Sequence, residues 1–139
     1  MKEEEARRKA LALVERSEIA LLGSNGEDGH PWIKAMLKME TEELKTVWFS
    51  TNTSSRRVAQ FLRDPRACVY FVDFSDWMGL MLIGEIEVLS DRQSRERIWR
   101  DGYERYYPLG IDDPDYTVLR FSAGSANYYH QLDNFSFTP

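Results

Sequence analysis

The chain has one cysteine, two histidines, no excess of positive charge and no apolar run as long as a membrane-spanning helix. A single cysteine, Cys68, excludes an internal disulfide. With only His30 and His130 beside it, scattered along the chain, no structural zinc site is expected. Lysine and arginine number 18 against 23 aspartate and glutamate, for a net charge of -5. That balance argues against a nucleic-acid partner, because binding a phosphate backbone needs a cationic surface. The amino terminus, MKEEEARRKA, is too charged and acidic for a signal peptide, so the expectation is a soluble cytoplasmic protein with no membrane partner. Catalytic signatures are also missing. No Ser-His-Asp order, paired-carboxylate motif or Cys-His nucleophile is legible, and no catalytic residue is assigned.

What is present is large apolar area. The 139 residues are 42% hydrophobic and 13% aromatic, enough for one core and one domain spanning 1–139. From Glu3 to Arg16, Ala6, Ala10, Leu13 and Val14 recur at helical spacing among charged residues, which predicts an amphipathic helix. Ile19–Ser24 reads as a strand. The NGEDG that follows holds two hairpin-turn signals, and Pro31–Met39 supplies the returning strand. Its alternation sets Ile33, Ala35, Leu37 and Met39 on one face, suited to a core, and Trp32, Lys34, Met36 and Lys38 on a mixed face. A polar turn leads to the strand TVWFST, then a short helix, RRVAQFLRD, ended by Pro65. Ala67–Asp73 and Trp77–Leu89 read as strands, the second with glycines at 79 and 84 where it would bend or bulge. Ser90 or Asp91 caps a helix expected to run to about Tyr107, and Tyr116–Ser122 is a further strand. The tail NYYHQLDNFSF has no clear period. The pattern predicts a mainly β protein: a barrel of six or so antiparallel strands decorated by three to four helices. Cys68, inside ACVYFV, is expected to be a buried strand residue with an inert thiol.

The unusual chemistry lies after TVWFST. Ser54 and Ser55 are both competent helix N-caps, yet Arg56 and Arg57 then occupy the first helical turn. Cations there oppose the helix dipole, at about 0.3–1 kcal/mol each, unless an anion is bound. A phosphate would reverse the sign, accepting bonds from free backbone N–H groups, from the Thr51 and Ser55 hydroxyls and from both guanidinium groups. An exposed basic turn without a ligand is the alternative that these residues alone leave open. Lys34 gains meaning from context: if the strands Pro31–Met39 and Thr46–Thr51 pair across their short connection, Lys34 comes toward the same phosphate.

Two stretches, PWIKAMLKM and VWFSTNTSSRRVAQFLRDPRACVYF, resemble the FMN-binding split barrels related to pyridoxamine 5'-phosphate oxidase. GEIEVLSD adds a later match, so the similarity spans roughly residues 5 to 122. The resemblance implies a split β-barrel that binds flavin mononucleotide (FMN). Lys34 stands where that family has a phosphate-contacting arginine, Ser50 and Thr51 fill its strand-end flavin contacts, and Arg56 and Arg57 fill its phosphate pair. Backbone near Ala35, Met36 and Leu37 would run along the flavin ring. The family also implies a homodimer with flavin near the subunit interface, for which Trp32, Trp77 and the tyrosines of 103–107 are candidate interface aromatics. Two features depart from the true vitamin B6 oxidases. No glutamine stands near Gly79, and no Arg-x-His motif follows in NYYHQLDNFSFTP, an ending more like the family's general stress protein group.

The function expected on this basis is a flavin-dependent oxidoreductase acting on a small substrate or on NAD(P)H. A noncatalytic flavin-binding, stress or redox-sensing protein is the alternative, and relatives that use haem or deazaflavin F420 provide a third reading. His30 reads as a loop histidine, and His130 belongs to an aromatic tail that would cover the flavin or close the core.

Overall fold

Strand pairing begins with a hairpin whose turn is closed by two backbone hydrogen bonds, Gly26 N–H to His30 O at 2.9 Å and Gly29 N–H to Gly26 O at 3.0 Å. In the computed structural model, which describes residues 1–139, this hairpin joins β1 (Ile19–Asn25) and β2 (Pro31–Leu37). The remaining strands are β3 (Glu40–Glu42), β4 (Thr46–Asn52), β5 (Arg66–Asp73), β6 (Met78–Leu89), β7 (Tyr116–His130) and β8 (Asp133–Phe137). All pairings are antiparallel, in the order β2-β1-β5-β6-β7-β4-β3, with β8 added alongside β7. The sheet curls as a split barrel around one core. Val47, Phe49, Val69, Phe71, Leu80, Leu82, Leu119 and Phe121 point inward from the strands. The helix α1 (Glu3–Arg16) lays its predicted stripe, Ala6, Ala10, Leu13 and Val14, into the same core. Lys38 donates to the carbonyls of Val14 and Glu15 at 2.6 and 3.1 Å, satisfying the orphan acceptors at that helix's end.

The expected kink in β6 is real. The β6–β7 register shifts at Ile83/Gly84, and a Cβ at Gly84 would lie 1.9 Å from the carbonyl oxygen of Ser122. Only glycine lets the two backbones approach this closely.

Five expectations are corrected. First, β2 does not pair with β4: it pairs with β1, while β4 lies between β3 and β7. Met39, in the link between β2 and β3, donates its N–H to Trp48 O at 3.0 Å and so extends the β3–β4 ladder. Second, the faces of β2 are reversed. Met36 is buried, whereas Ile33 is 73% exposed and Leu37 52%. The cross-strand partner of Met36 is the buried Ala20, so the face chosen for its apolar content looks outward. Third, the helix from Asp91 ends early: α3 spans only Arg92–Ile98, followed by single 3-10 turns at Tyr103–Arg105 and Gly110–Asp112. The chain leaves the helix at Trp99, whose backbone is extended at ψ 137°, and Gly102, at φ 88°, starts the first 3-10 turn. Fourth, the aperiodic tail is the end of β7 together with β8. The turn at Gln131 folds β8 back onto β7, with Phe135 and Phe137 packed on the core and Asn134 and Ser136 on the other face, bonded to Asn127. Fifth, Cys68 is only half-buried. Ala67, Val69 and Phe71 point into the core, and Cys68 occupies the opposite face of β5. Its environment still pushes the thiol pKa up through desolvation, as expected for an inert group.

A second cluster packs on the other face of β4. Trp48, Tyr107, Tyr116, Val118 and Ile98 are buried there, with Trp99 and Tyr103 against them.

Candidate anion-binding site

The site is assembled at the start of α2 (Arg56–Arg63). Ser55 is the N-cap, its hydroxyl accepting the Val58 N–H at 3.4 Å, and no acidic residue stands in the first turn. α2 packs beside β1 through Val58, Phe61 and Gln60. A cavity of about 470 Å³ opens between the helix and the β1–β2 ladder, lined by Lys34, Ser55, Arg56, Arg57, Trp32 and Gln60 among others. Lys34 reaches it because it lies opposite Leu22 on the inward face of the hairpin, two residues along from the Ser24–Trp32 pair. The strand and helix brought together by sequence reasoning therefore do share a site, through α2 docking on β1 rather than through β2–β4 pairing.

Charge at this cavity is unbalanced. Lys34, Arg56 and Arg57 form no ion pair with any carboxylate. Burial lowers the Arg57 pKa from its usual value, the direction expected when a cation is desolvated without an anion beside it. Its Nε is enclosed and has no hydrogen-bond partner, and its closest acceptor is Thr51 Oγ1, 3.5 Å from a terminal nitrogen. Arg56 lies over the Trp32 ring at 5.3 Å. Three cations, a hydroxyl and the free N–H groups of a helix N-terminus make a strong anion receptor.

The other predicted positions divide. Thr51 is buried, 3.4 Å from Ser55 Oγ, at the rim of this group. Ser50 points to the opposite face of β4, beside Tyr103 and Tyr107. Met36 is in the core, and Ala35 and Leu37 face outward from β2 next to the cavity strand. Trp32 lines the cavity, Trp77 is exposed in the β5–β6 turn, and Tyr103 and Tyr107 belong to the aromatic cluster. His30 sits at the hairpin turn, 3.1 Å from Asp28, and His130 near Asp76 at the far end of β7. Sequence reasoning missed Gln60 and Ser24. They bond each other at 2.5 Å in the cavity floor, both nearly inaccessible. No signal pointed to Gln60, because helical spacing favours Leu62 for the buried stripe beside Val58 and Phe61, and Leu62 is exposed.

This arrangement has relatives. A model of the pyridoxamine 5'-phosphate oxidase family matches residues 6–130. The chain belongs to that family. A comparison with curated protein sequences finds no match. Among solved structures, a Clostridium acetobutylicum protein related to general stress protein 26 of Bacillus subtilis, of the pyridoxinephosphate oxidase family, is 50% identical. The match covers 99% of this chain and 96% of that one, with a TM-score of 0.89. General stress protein 26 of Bacillus anthracis shares 15% identity over 94% of this chain and 98% of that one, at a TM-score of 0.76. A haem-binding protein of Mycobacterium smegmatis, at 17% identity and a TM-score of 0.78, covers 96% of this chain and 57% of its own, and shares the fold. Within the pyridoxamine 5'-phosphate oxidase family, then, this chain stands with the general stress protein group. No helix is long and apolar enough to cross a membrane.

Proposed function

We propose that the chain binds FMN, with the flavin phosphate held by Lys34, Arg56, Arg57 and the N-terminus of α2, and that it acts as a flavin-dependent oxidoreductase. The observation that carries this reading is the group of three unpaired cations around one cavity, with the enclosed Arg57 Nε lacking any acceptor. A buried polar group without a partner costs about 1–3 kcal/mol, so the arrangement is stabilised by an anion and strained without one. Family membership supports a flavin phosphate as that anion. The lining residues include no histidine, cysteine or tyrosine to serve as an axial haem ligand, which favours flavin over haem here.

When bound, the flavin supplies hydride chemistry at its ring. The chain's part is binding and placement. Lys34, Arg56, Arg57 and the N-terminus of α2 would hold the phosphate, the β2 backbone at Ala35–Leu37 would border the ring, and the outward apolar face of β2, β1, β5 and β6 would form the contact between two copies. No side-chain acid or base is needed in this scheme. The absorption spectrum of the purified protein and a titration of its apo form with FMN test the proposal. A flavin spectrum with saturable binding supports it, and no binding at high FMN overturns it. Oxidation of NADH or NADPH by the flavin-loaded protein separates an oxidoreductase from a flavin store or sensor.

A further inference from the structure

The aromatic cluster on the other face of β4 has no part in holding an anion, and its rings form an unbroken path. Tyr107 and Tyr116 lie 4.7 Å apart between ring centroids, Trp99 stands 5.2 Å from Tyr116 and 5.6 Å from Tyr103, and Tyr103 is 5.9 Å from Tyr106. Each is a contact distance for an aromatic pair. The path has two unlike ends. Tyr107 and Tyr116 are buried, whereas Tyr106 is 59% exposed. Between them, Tyr103 helps to line an open cavity of about 670 Å³ beside Leu37, Met39 and Arg100.

A phenol that loses an electron becomes strongly acidic, so the ring that can release a proton is the one that keeps the vacancy. The Tyr103 hydroxyl donates to the Met39 thioether at 2.9 Å and the Tyr116 hydroxyl to the Arg95 carbonyl at 2.8 Å, and neither acceptor is a base. Burial pushes the pKa of Tyr103, Tyr107 and Tyr116 up, so these phenols hold their protons. Tyr106 opens to water. The Arg105 guanidinium, 5.8 Å from the centre of its ring, disfavours a positive charge there, so electron and proton leave Tyr106 together. We propose that the cluster is a relay that carries oxidising equivalents from the cavity to Tyr106. A one-electron oxidant in the cavity, such as a radical derived from dioxygen, takes an electron from Trp99 through Tyr103. An electron then passes from Tyr106 to Trp99, the Tyr106 O–H bond breaks, and its proton goes to water. A soluble thiol restores Tyr106 by giving the hydrogen atom of its S–H to the phenoxyl oxygen, and leaves as a thiyl radical. The relay needs no bound cofactor and stands apart from the FMN reading.

The test is pulse radiolysis with the azide radical, a one-electron oxidant of indoles, on the Trp32→Phe/Trp77→Phe variant of the full chain. That background removes the two exposed tryptophans and leaves Trp99 half-buried and Trp48 buried. The indole radical is expected to decay as a tyrosyl radical rises, at a rate independent of protein concentration. Tyr106→Phe and Tyr103→Phe, each added singly to this background, should abolish that first-order rise and leave only transfer between molecules, which depends on concentration. Tyr106 is exposed, so its variant keeps the fold even if Tyr103→Phe, which gives up the bond to Met39, does not. Thermal melts check both. A background protein with no first-order rise, or a first-order rise that survives Tyr106→Phe, overturns the relay. Survival in a folded Tyr103→Phe variant overturns it as well, since the vacancy then reaches the surface by another route.

Discussion

The Asp115 carboxylate, in the loop before β7, accepts the backbone N–H of Ser54 at 2.9 Å. Its other oxygen takes Asn52 Nδ2 at 2.6 Å, and the Asp115 carbonyl accepts the Thr53 N–H at 2.8 Å. The turn that aims α2 at the cavity is therefore fastened to the strand β4 must pair with. The Ser54 N–H, and then Asn52, hold the Asp115 pKa below its usual 3.8. A depressed carboxylate contributes stability above its unfolded pKa, and that contribution is lost as pH falls through the folded value. Asp115→Ala should lower the melting temperature at neutral pH and flatten the stability loss seen below about pH 4. FMN affinity should fall with it, because the helix end is less fixed. Thermal melts across the acid range check this; an unchanged acid limb would show that the carboxylate is not bonded in solution.

Arg57→Ala should separate binding from folding. Losing a charge-assisted contact to phosphate weakens FMN by about ten- to a hundredfold. The apo protein should be equally stable or firmer, since the arginine is desolvated, unpaired and set against the helix dipole. Riboflavin, lacking the phosphate, is the internal control, and its weaker binding should hardly change. Equal losses for FMN and riboflavin would remove Arg57 from the phosphate.

Local signals made much of this molecule legible. The α1 stripe, the NGEDG turn, the Ser55 cap and Pro65 stop of α2, and the Gly84 kink all rest on short-range chemistry and stand where the sequence reading put them. The misreadings were decided by tertiary context. β2 carries more apolar side chains on its outward face than on its inward one, so alternation alone chose the wrong side. The last strands were obscured because β7 runs from a buried stretch, Tyr116–Leu119, to a half-exposed end paired with β8. At the site, the residues with chemical character, Lys34, Arg56 and Arg57, were visible one by one. The Ser24–Gln60 floor was not, because it joins residues 36 apart in sequence that have no motif between them.

Tyr70 and Tyr129 bond hydroxyl to hydroxyl at 2.7 Å across β6, over Gly79, where a Cβ would lie 2.3 Å from the Tyr70 oxygen. Burial, then the bond to Tyr129, pushes the Tyr70 pKa up to about 12. A phenol whose folded pKa exceeds its unfolded value near 10 keeps its full contribution below that pH and loses it as pH rises toward the folded value. Stability should therefore decline between about pH 10 and 12, and Tyr129→Phe should reduce that slope and move the Tyr70 titration down. Ultraviolet titration of the two proteins reads both effects; identical curves would refute the pairing.

The outward face of the sheet yields the last prediction. Ile19, Ile33, Leu37 and Ile83 are exposed there, and Leu21, Cys68, Tyr70 and Met81 fill the space between them, on neighbouring strands in matching register. Soluble monomers rarely leave so continuous an apolar face in water, and a stable self-association buries roughly 1,600 Å² in total, which a four-strand face can supply from two copies. A twofold pair also places the same strand, β2, of each copy at the contact, next to its own anion cavity. Light scattering should therefore give about twice the 16.3 kDa chain mass. Ile83→Glu, on this face but outside the cavity lining, puts a charge where the copies meet and should yield monomers. If the flavin ring is covered by the second copy, the same variant should lose FMN affinity although every phosphate ligand is intact. A monomeric variant that binds FMN as tightly as the wild type would place the flavin within one chain, and a wild type with the mass of a single chain would end the dimer altogether.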